Sequence, residues 1–355
     1  MSNNLQNEEK SLSNLLKFVS PGTVLKQALE IILQGGTGAL IVIGDTEEVL
    51  KTIDGGFKID CPLTPTALAE LAKMDGAIII SKDVKRILYA NTQLIPDYLI
   101  PTNERGTRHR AAERMAKQTS CPVIAISRAR NTVSLYQEEI KYVLKTLPEL
   151  ISRANQALQT LEKHRVVFDE ILKELEILEF RDEVRLFNAI KIIQRGQMIK
   201  KIKREVDRYI IELGEEARLI KMQLKEVAGD TLDEVMQTIQ DYARRDYKKV
   251  CLELEDIEMN ELLEPINIVR ILGYEVKPES LDLLVFPRGY RVLSKIPRLP
   301  GVVIKNVTKA LGDLPNIVNA NPSQLMKISE VGEKRAYMIR KELQRLKDKV
   351  LIEKS

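Results

Sequence analysis

Apolar positions recur first at helical spacing, then in short unbroken runs, then at helical spacing to the end, and this order divides the chain. Val24, Leu25, Ala28, Leu29, Ile32 and Leu33 fall on one helical face after the break Ser20-Pro21-Gly22. A shorter helical pattern precedes the break, and Gly35-Gly36 end the helix that follows it. Ala39–Ile43 is a continuous run rich in β-branched residues and predicts a buried strand. Asp54-Gly55-Gly56-Phe57 predicts a turn. Pro65–Lys73 returns to helical period, with Thr64 as cap and Leu68, Leu71 and Ala72 inward. Strands are expected at Ala77–Ser81 and Arg86–Ala90, joined by the polar turn Lys82-Asp83. A proline-rich loop from Pro96 to Pro101 leads to a helix over Thr107–Thr119. The strand Val123–Ile126 and its hairpin partner Thr132–Tyr136 follow. The alternation predicts an α/β domain, a mixed sheet flanked by helices, over residues 1–137.

Beyond residue 137 the period is helical throughout. Ile140, Val143, Leu144, Leu147, Leu150, Ile151, Ala154, Leu158 and Leu161 predict one long amphipathic helix, and Leu172 to Ile193 continue the pattern. No proline occurs between Pro148 and Pro265, so residues 138–287 are expected to form an all-α spine. Residues 288–355 contain an internal echo. Ile296-Pro297-Arg298-Leu299-Pro300 and Ile328-Ser329-Glu330-Val331-Gly332 lie 32 residues apart, and each precedes a basic helical stretch. Asn321-Pro322-Ser323-Gln324-Leu325 carries a capping pattern ahead of the second copy. A third, all-α domain is expected there.

Charge changes the picture at the C-terminus. The whole chain of 355 residues has a net charge of +4. Residues from Arg288 onward hold 15 Lys/Arg against 6 Asp/Glu, so the remainder is acidic. With 6 Phe and no Trp, aromatic stacking on single strands is not expected to dominate. The three cysteines, Cys61, Cys121 and Cys251, are widely spaced and lack a CxxC, which argues against disulfides and zinc. They read as small buried side chains in a reducing compartment. Met1–Lys10 is polar and acidic, unlike a signal peptide, and no apolar run has the length of a membrane span. A cytoplasmic protein is expected.

Three features carry candidate chemistry. Asp75-Gly76-Ala77 places an acid on a tight turn before a strand. Gly106-Thr107-Arg108-His109-Arg110 loads a helix start with cations. Cations there oppose the helix dipole, so an anion such as phosphate is the natural companion. The flanking arginines should keep His109 neutral. Ser127-Arg128-Ala129-Arg130 repeats the theme at the end of a strand, where ligands sit in α/β sheets. Taken singly, these are a common turn, a solvated charge run and a surface loop. Their concentration at element ends in one domain argues for a common site.

These residues resemble the diadenylate cyclase domain, with Gly38-Ala39-Leu40-Ile41-Val42-Ile43, Asp75-Gly76-Ala77 and Gly106-Thr107-Arg108-His109-Arg110-Ala111-Ala112-Glu113-Arg114 as the matching motifs. Over its whole length the chain is similar to the DNA-integrity-scanning (DisA-type) branch of that family. Arg128 and Arg130 follow Ser127 as in that branch, where membrane-anchored members carry glutamates. The resemblance implies condensation of two ATP into cyclic di-AMP with release of two pyrophosphates, and a Mg²⁺ or Mn²⁺ ion on Asp75. It implies that Gly76 and Ala77 let backbone approach the nucleotide, and that Thr107, Arg108, His109 and Arg110 serve the phosphates. Ser127, Arg128 and Arg130 would hold the triphosphate tail. Leu94 matches an adenine-packing position and equally suits a core leucine. One chain carries one such set and the product needs two, so a homo-oligomer with cyclase domains face to face is expected; the resemblance implies an octamer.

The C-terminal repeat resembles a tandem helix-hairpin-helix, a module that takes duplex backbone without reading bases. The usual Gly-hydrophobic-Gly hairpin survives only as Glu330-Val331-Gly332 in the second copy and is Arg298-Leu299-Pro300 in the first. Gly332, Lys334 and Arg335 are therefore the first DNA-contact candidates, with Arg298 and Lys305 behind them. Branched DNA as regulator and a nucleoid location follow from the resemblance. The competing reading is a DNA-structure-binding scaffold whose nucleotide domain only senses ATP or a dinucleotide.

Overall fold

The computed structural model describes residues 11–352, and Met1–Lys10 lies outside them. Its elements begin with α1 (residues 11–18), α2 (Val24–Gln34), β1 (Ala39–Ile43), α3 (Glu47–Lys51), β2 (Ile53–Asp54), β3 (Phe57–Pro62) and α4 (Pro65–Leu71). They continue with β4 (Ala77–Ile80), β5 (Arg86–Leu94), α5 (Thr107–Thr119), β6 (Val123–Ser127), β7 (Thr132–Gln137) and β8 (Ile140–Val143). The helical remainder runs α6 (Leu147–Arg181), α7 (Leu186–Leu213), α8 (Arg218–Ala228), α9 (Thr231–Tyr242), α10 (Tyr247–Asp256), α11 (Met259–Leu262) and α12 (Pro265–Leu272). It ends with α13 (Tyr290–Ser294), α14 (Gly301–Leu311), α15 (Leu314–Asn319), α16 (Pro322–Leu325) and α17 (Glu333–Ile352). The chain forms two compact units. One takes the residues through Gln156 together with Val206–Lys221; the other takes Ala157–Glu205 and the residues from Met222 onward.

The first unit is built on a mixed sheet in the order β2-β5-β4-β1-β6-β7-β8, with β3 also paired to β5. β1 and β4 run parallel, and the other pairings are antiparallel. The unbroken apolar run of β1 follows from burial on both faces. Ala39, Ile41 and Ile43 meet Leu16, Leu29 and Leu68 from α1, α2 and α4. Leu40 and Val42 point to the opposite face, where Ala112, Met115 and Ala116 of α5 cover them. Threonine caps open three of the helices: Thr23, Thr46 and Thr64 each accept from a backbone N–H of the first turn. Helix α5 begins differently, at Gly106 with no side-chain cap.

The structure corrects two expectations here. The helix expected from Ile140 begins at Leu147, and the sheet extends past residue 137. Ile140–Val143 pairs with β7 in the register Gln137↔Ile140 to Ser134↔Val143. Ile-Lys-Tyr-Val also has period two, and the open edge of β7 satisfies its backbone, so pairing overrides the helical spacing. Strand β5 likewise continues past Ala90 to Leu94. A left-handed Asn91 bends it, and its far end pairs Leu94 with Ile53 of β2.

Helices α6, 35 residues long, and α7, 28 residues long, each divide between the two units, and their length follows the apolar pattern beyond Pro148. In the second unit, the two C-terminal hairpins pack on one core at repeat-related positions: Ile304 and Ala336, Val307 and Ile339, Leu311 and Leu343. The largest fully buried side chain is Arg291 of α13. Its guanidinium meets Glu179 on α6, lies 3.0 Å from Glu176 and 3.5 Å from Glu234 of α9. Tyr242 donates to Glu179 at 2.7 Å. Asp241 accepts the N–H groups of Tyr290 and Arg291 at 2.6 and 3.0 Å, capping α13 from a neighbouring helix. Burial opposes the charge on Arg291, but Glu179, Glu176 and Glu234 outweigh it and raise its pKa further.

Removing that cation leaves Glu179 buried without its partner. Arg291→Met is expected to destabilise this unit by about 3–5 kcal/mol in denaturant titrations. Adding Glu179→Gln should recover part of the loss. Full stability in the single variant would show that Glu179 is buried without its cation at no penalty.

Candidate nucleotide site

The first turn of α5 concentrates unpaired backbone donors. Arg110 N donates to Gly106 O, which leaves the N–H groups of Thr107, Arg108 and His109 without helical acceptors. No acid lies in that turn. The preceding loop is laced instead to the far flank of α5. Asp97 N donates to Gln118 at 2.8 Å, Arg114 to Ile100 O at 2.9 Å and Thr102 to Glu113 at 2.5 Å. The helix end is thereby fixed while its donors stay open.

Consecutive residues on a helix diverge by about 100°, and the three at this start serve three environments. Arg108 faces a cavity of about 590 Å³ lined by Leu40, Gly76, Ala77, Leu94 and Thr107. Arg110 faces an adjoining cavity of about 390 Å³ that shares Gln93, Leu94, Thr107 and Ala111 with the first. His109 turns to Tyr136 on β7, with Nδ1 2.9 Å from the phenol oxygen.

Arg108 also lies across the start of β1, where it donates to Ile126 O at 3.4 Å. A Cβ on Gly38 would collide with its guanidinium, so this glycine clears the arginine's path. Gly76 has a different neighbour from the expected nucleotide. At φ +89, its missing Cβ would meet Thr92 O at 2.7 Å, so β5 backbone already requires the glycine while its edge lines the cavity. Leu94 is both: it packs on the core beside Tyr89 and lines both cavities.

Asp75 is exposed beside Gly76 and does not line either cavity. It makes no hydrogen bond or ion pair among the described residues, and among those residues no cluster of three metal-ligating side chains occurs. A free carboxylate has the chemistry to hold Mg²⁺ or Mn²⁺, which commonly take one or two carboxylates and complete their shell with other oxygens and water. Ser127 ends β6 and accepts from Arg130 N at 3.3 Å. Arg128 and Arg130 are exposed on the turn that follows, outside both cavities. The charge of Arg130 nonetheless reaches His109. The imidazole pKa lies below its ordinary value through burial first, with Arg130, Lys141 and Arg108 adding to the effect and Glu104 opposing it. The imidazolium is disfavoured, with burial rather than the flanking arginines as the main cause.

Three residues around His109, namely Glu104, Tyr136 and Lys141, carry no signal in the sequence. Tyr136 donates to Glu104 at 2.9 Å, and Lys141 of β8 pairs with the same carboxylate oxygen at 2.5 Å. Burial works against the Glu104 charge, but the hydrogen bonds from Lys141 and Tyr136 hold its pKa below the usual carboxylate value. Glu104 sits in a loop and Tyr136 on a strand, and no local pattern couples them.

The DNA candidates lie in the other unit. Arg298 and Glu330 occupy the same point of their hairpins, both left-handed with φ 61 and φ 68. In the second hairpin Arg335 donates to Glu330 O at 2.7 Å, and Glu333 stands in the first turn of α17. The first hairpin has no acid in the first turn of α14. Arg298, Lys305, Gly332, Lys334 and Arg335 are all exposed.

Family models match two stretches: residues 26–140 match the DisA bacterial checkpoint controller nucleotide-binding domain, and residues 144–281 its linker region. The DNA integrity scanning protein DisA of Clostridium kluyveri is 47% identical over 348 residues, covering 98% of each chain. That of Clostridium tetani is 47% identical over 350 residues, covering 98% of this chain and 97% of its own. No helix among the described residues is long and apolar enough to cross a membrane. At this identity over nearly the full length of both chains, the protein belongs to the DisA family of DNA integrity scanning proteins and is a diadenylate cyclase, a nucleotidyltransferase.

Proposed function

We propose that the chain joins two ATP molecules into cyclic di-AMP, and that its C-terminal hairpins bind branched duplex DNA and modulate that reaction. The observation that carries the first part is the uncapped, acid-free start of α5, with Arg108 aimed into a cavity walled by Gly76 and Ala77. Each 3′-hydroxyl gives up its proton to solvent as its oxygen bonds to the α-phosphorus of the facing nucleotide, the bridge to the β-phosphate breaks, and pyrophosphate leaves. Free N–H groups of the first turn, with Arg108, hold the phosphate oxygens in line. Leu94 packs against the adenine. Arg110, Ser127, Arg128 and Arg130 take the triphosphate tail. Asp75 would hold Mg²⁺ or Mn²⁺, which when bound supplies positive charge to the reacting phosphate and the attacking oxygen. The product contains two new bonds, and one chain presents one such site. Two protomers must therefore face each other, and an octamer that pairs its cyclase domains meets this need.

For DNA, we favour the first hairpin over the second. Glu333 and Glu330 weaken the second as a phosphate site, and Arg335 is already engaged. Arg298 and Lys305 flank a helix start free of acids, and Lys334 adds positive charge beside Gly332. The duplex is held by its backbone, so affinity should depend on salt and little on sequence.

Asp75→Asn is expected to lower product formation by roughly a hundredfold or more, with the melting transition unchanged. Chromatography of ATP and metal incubations reads it, and wild-type turnover would reject the role of Asp75. Gly38→Ala should displace Arg108 without unfolding β1, lowering turnover by about tenfold, the value of one charge-assisted contact. Unaltered turnover would show that the Arg108 position is not limiting. Arg298→Ala and Lys305→Ala should each reduce the salt slope of branched-DNA binding by about one and weaken any effect of DNA on cyclisation. Slopes equal to wild type would remove the first hairpin from the interface. These point variants are preferable to deleting residues 288–355, which would strip Arg291 from the buried Glu179.

A further inference from the structure

The hydrogen bonds behind His109 fix where its proton lies. Glu104 pairs with Lys141 at 2.5 Å, and its pKa is low, so its carboxylate is ionised and only accepts. The single hydroxyl proton of Tyr136 is donated to Glu104. The phenol oxygen, 2.9 Å from His109 Nδ1, can then only accept from it. Nδ1 therefore carries the proton. In the neutral ring Nε2 is a bare lone pair. It is also buried and has no hydrogen-bond partner. The second histidine has the opposite arrangement. Arg195 donates to His164 Nδ1 at 2.9 Å, so neutral His164 carries its proton on Nε2.

A lone pair cannot donate to a phosphate, and two like-charged electron pairs repel. Yet His109, which lines neither cavity, has its Cδ2, the atom bonded to Nε2, 3.8 Å from where a Cβ on Gly106 would stand, so the Nε2 edge borders a helix start suited to phosphate. We propose, resting on the reading of this site as a triphosphate site, that nucleotide binding is coupled to uptake of one proton at His109 Nε2, and that Glu104 and Tyr136 are the positioning residues that make this possible. Every charged group facing the ring bears on the linkage. Arg108 from α5, Arg130 from the β6–β7 turn and Lys141 from β8 disfavour the imidazolium, while Glu104 favours it. A bound polyphosphate offsets the three cations, and the balance then passes to Glu104 through Tyr136. The proton comes from solvent, and the resulting Nε2–H donates to a phosphate oxygen. No bond to carbon or phosphorus changes. Because protons are taken up, affinity should fall as pH rises from neutrality.

The chain has two histidines, so nitrogen NMR of the histidine-labelled full-length protein resolves both. In the free protein at neutral pH, His109 should show protonated Nδ1 and bare Nε2, and His164 the reverse. With 3′-deoxyATP, which lacks the attacking hydroxyl, and Mg²⁺, both nitrogens of His109 should be protonated while His164 is unchanged. Calorimetry of the same nucleotide in buffers of different ionisation enthalpy should show about one more proton taken up than by His109→Asn. Tyr136→Phe keeps the ring that fills the core. It should lose the extra proton and bind roughly tenfold more weakly. A bare Nε2 in the nucleotide complex, or proton uptake equal to that of His109→Asn, would overturn the linkage. Nε2–H in the free protein would overturn the positioning by Glu104 and Tyr136. Failure of 3′-deoxyATP to bind at all would instead overturn the nucleotide reading, and the linkage with it.

Discussion

An α-helix presents roughly half a positive charge at its N-terminus, and α5 adds Arg108, His109 and Arg110 there without a cap or an acid. The first unit is arranged so that this end stays both fixed and unneutralised. Glu113, Arg114 and Gln118 hold the preceding loop from the far flank of the helix. The acid nearest in sequence, Glu104, would be the obvious cap. Its carboxylate is occupied by Tyr136 and Lys141 from the sheet. The helix start thus keeps its N–H groups free of a protein cap, and the acid reaches the imidazole at one remove, through the phenol.

The second unit solves an opposite problem. There the charges are buried and must be matched internally. Arg291 has no exposure and gathers Glu179, Glu176 and Glu234 from α6 and α9, while Asp241 caps α13. Desolvating so many charges gives little net stability, but it makes misplacement of any one expensive. The attachment of α13, from which the hairpins continue, is therefore specified in position more strongly than apolar packing alone would specify it.

Much of the fold was legible in the sequence because it rests on local rules. The β1 run, the Thr64 cap, the long helices and the capping pattern at Asn321 were recovered because each is set by neighbours in the chain. Strand β8 was missed because Ile-Lys-Tyr-Val satisfies two periods, and only the presence of the β7 edge decides between them. The site divides in the same way. Gly76, Ala77, Thr107 and Arg108 form contiguous motifs and meet at one cavity. Glu104 and Tyr136 are 32 residues apart in sequence, and their partnership exists only once loop and sheet have met. Asp75 could be named from its turn, but not its lack of partners.

The hairpin glycines show how far tertiary packing can override such local rules. A non-glycine residue in the left-handed region costs about 1 kcal/mol or more, and β-sheet or helix propensity offers nothing in return at a turn. Arg298 and Glu330 nevertheless hold φ 61 and φ 68 at equivalent points. Each is followed by an apolar residue, Leu299 or Val331, whose N–H donates to the carbonyl of Ile296 or Ile328 in the same way. These four side chains pack in the shared C-terminal core. Burial of several apolar side chains at about 1.5–3 kcal/mol each exceeds the strain, so the core fixes the turn and the glycine becomes dispensable. What the substitution changes is charge. It leaves a free arginine on one hairpin and an arginine-engaged glutamate on the other, and the two copies of one backbone shape thereby present unequal surfaces to an anion.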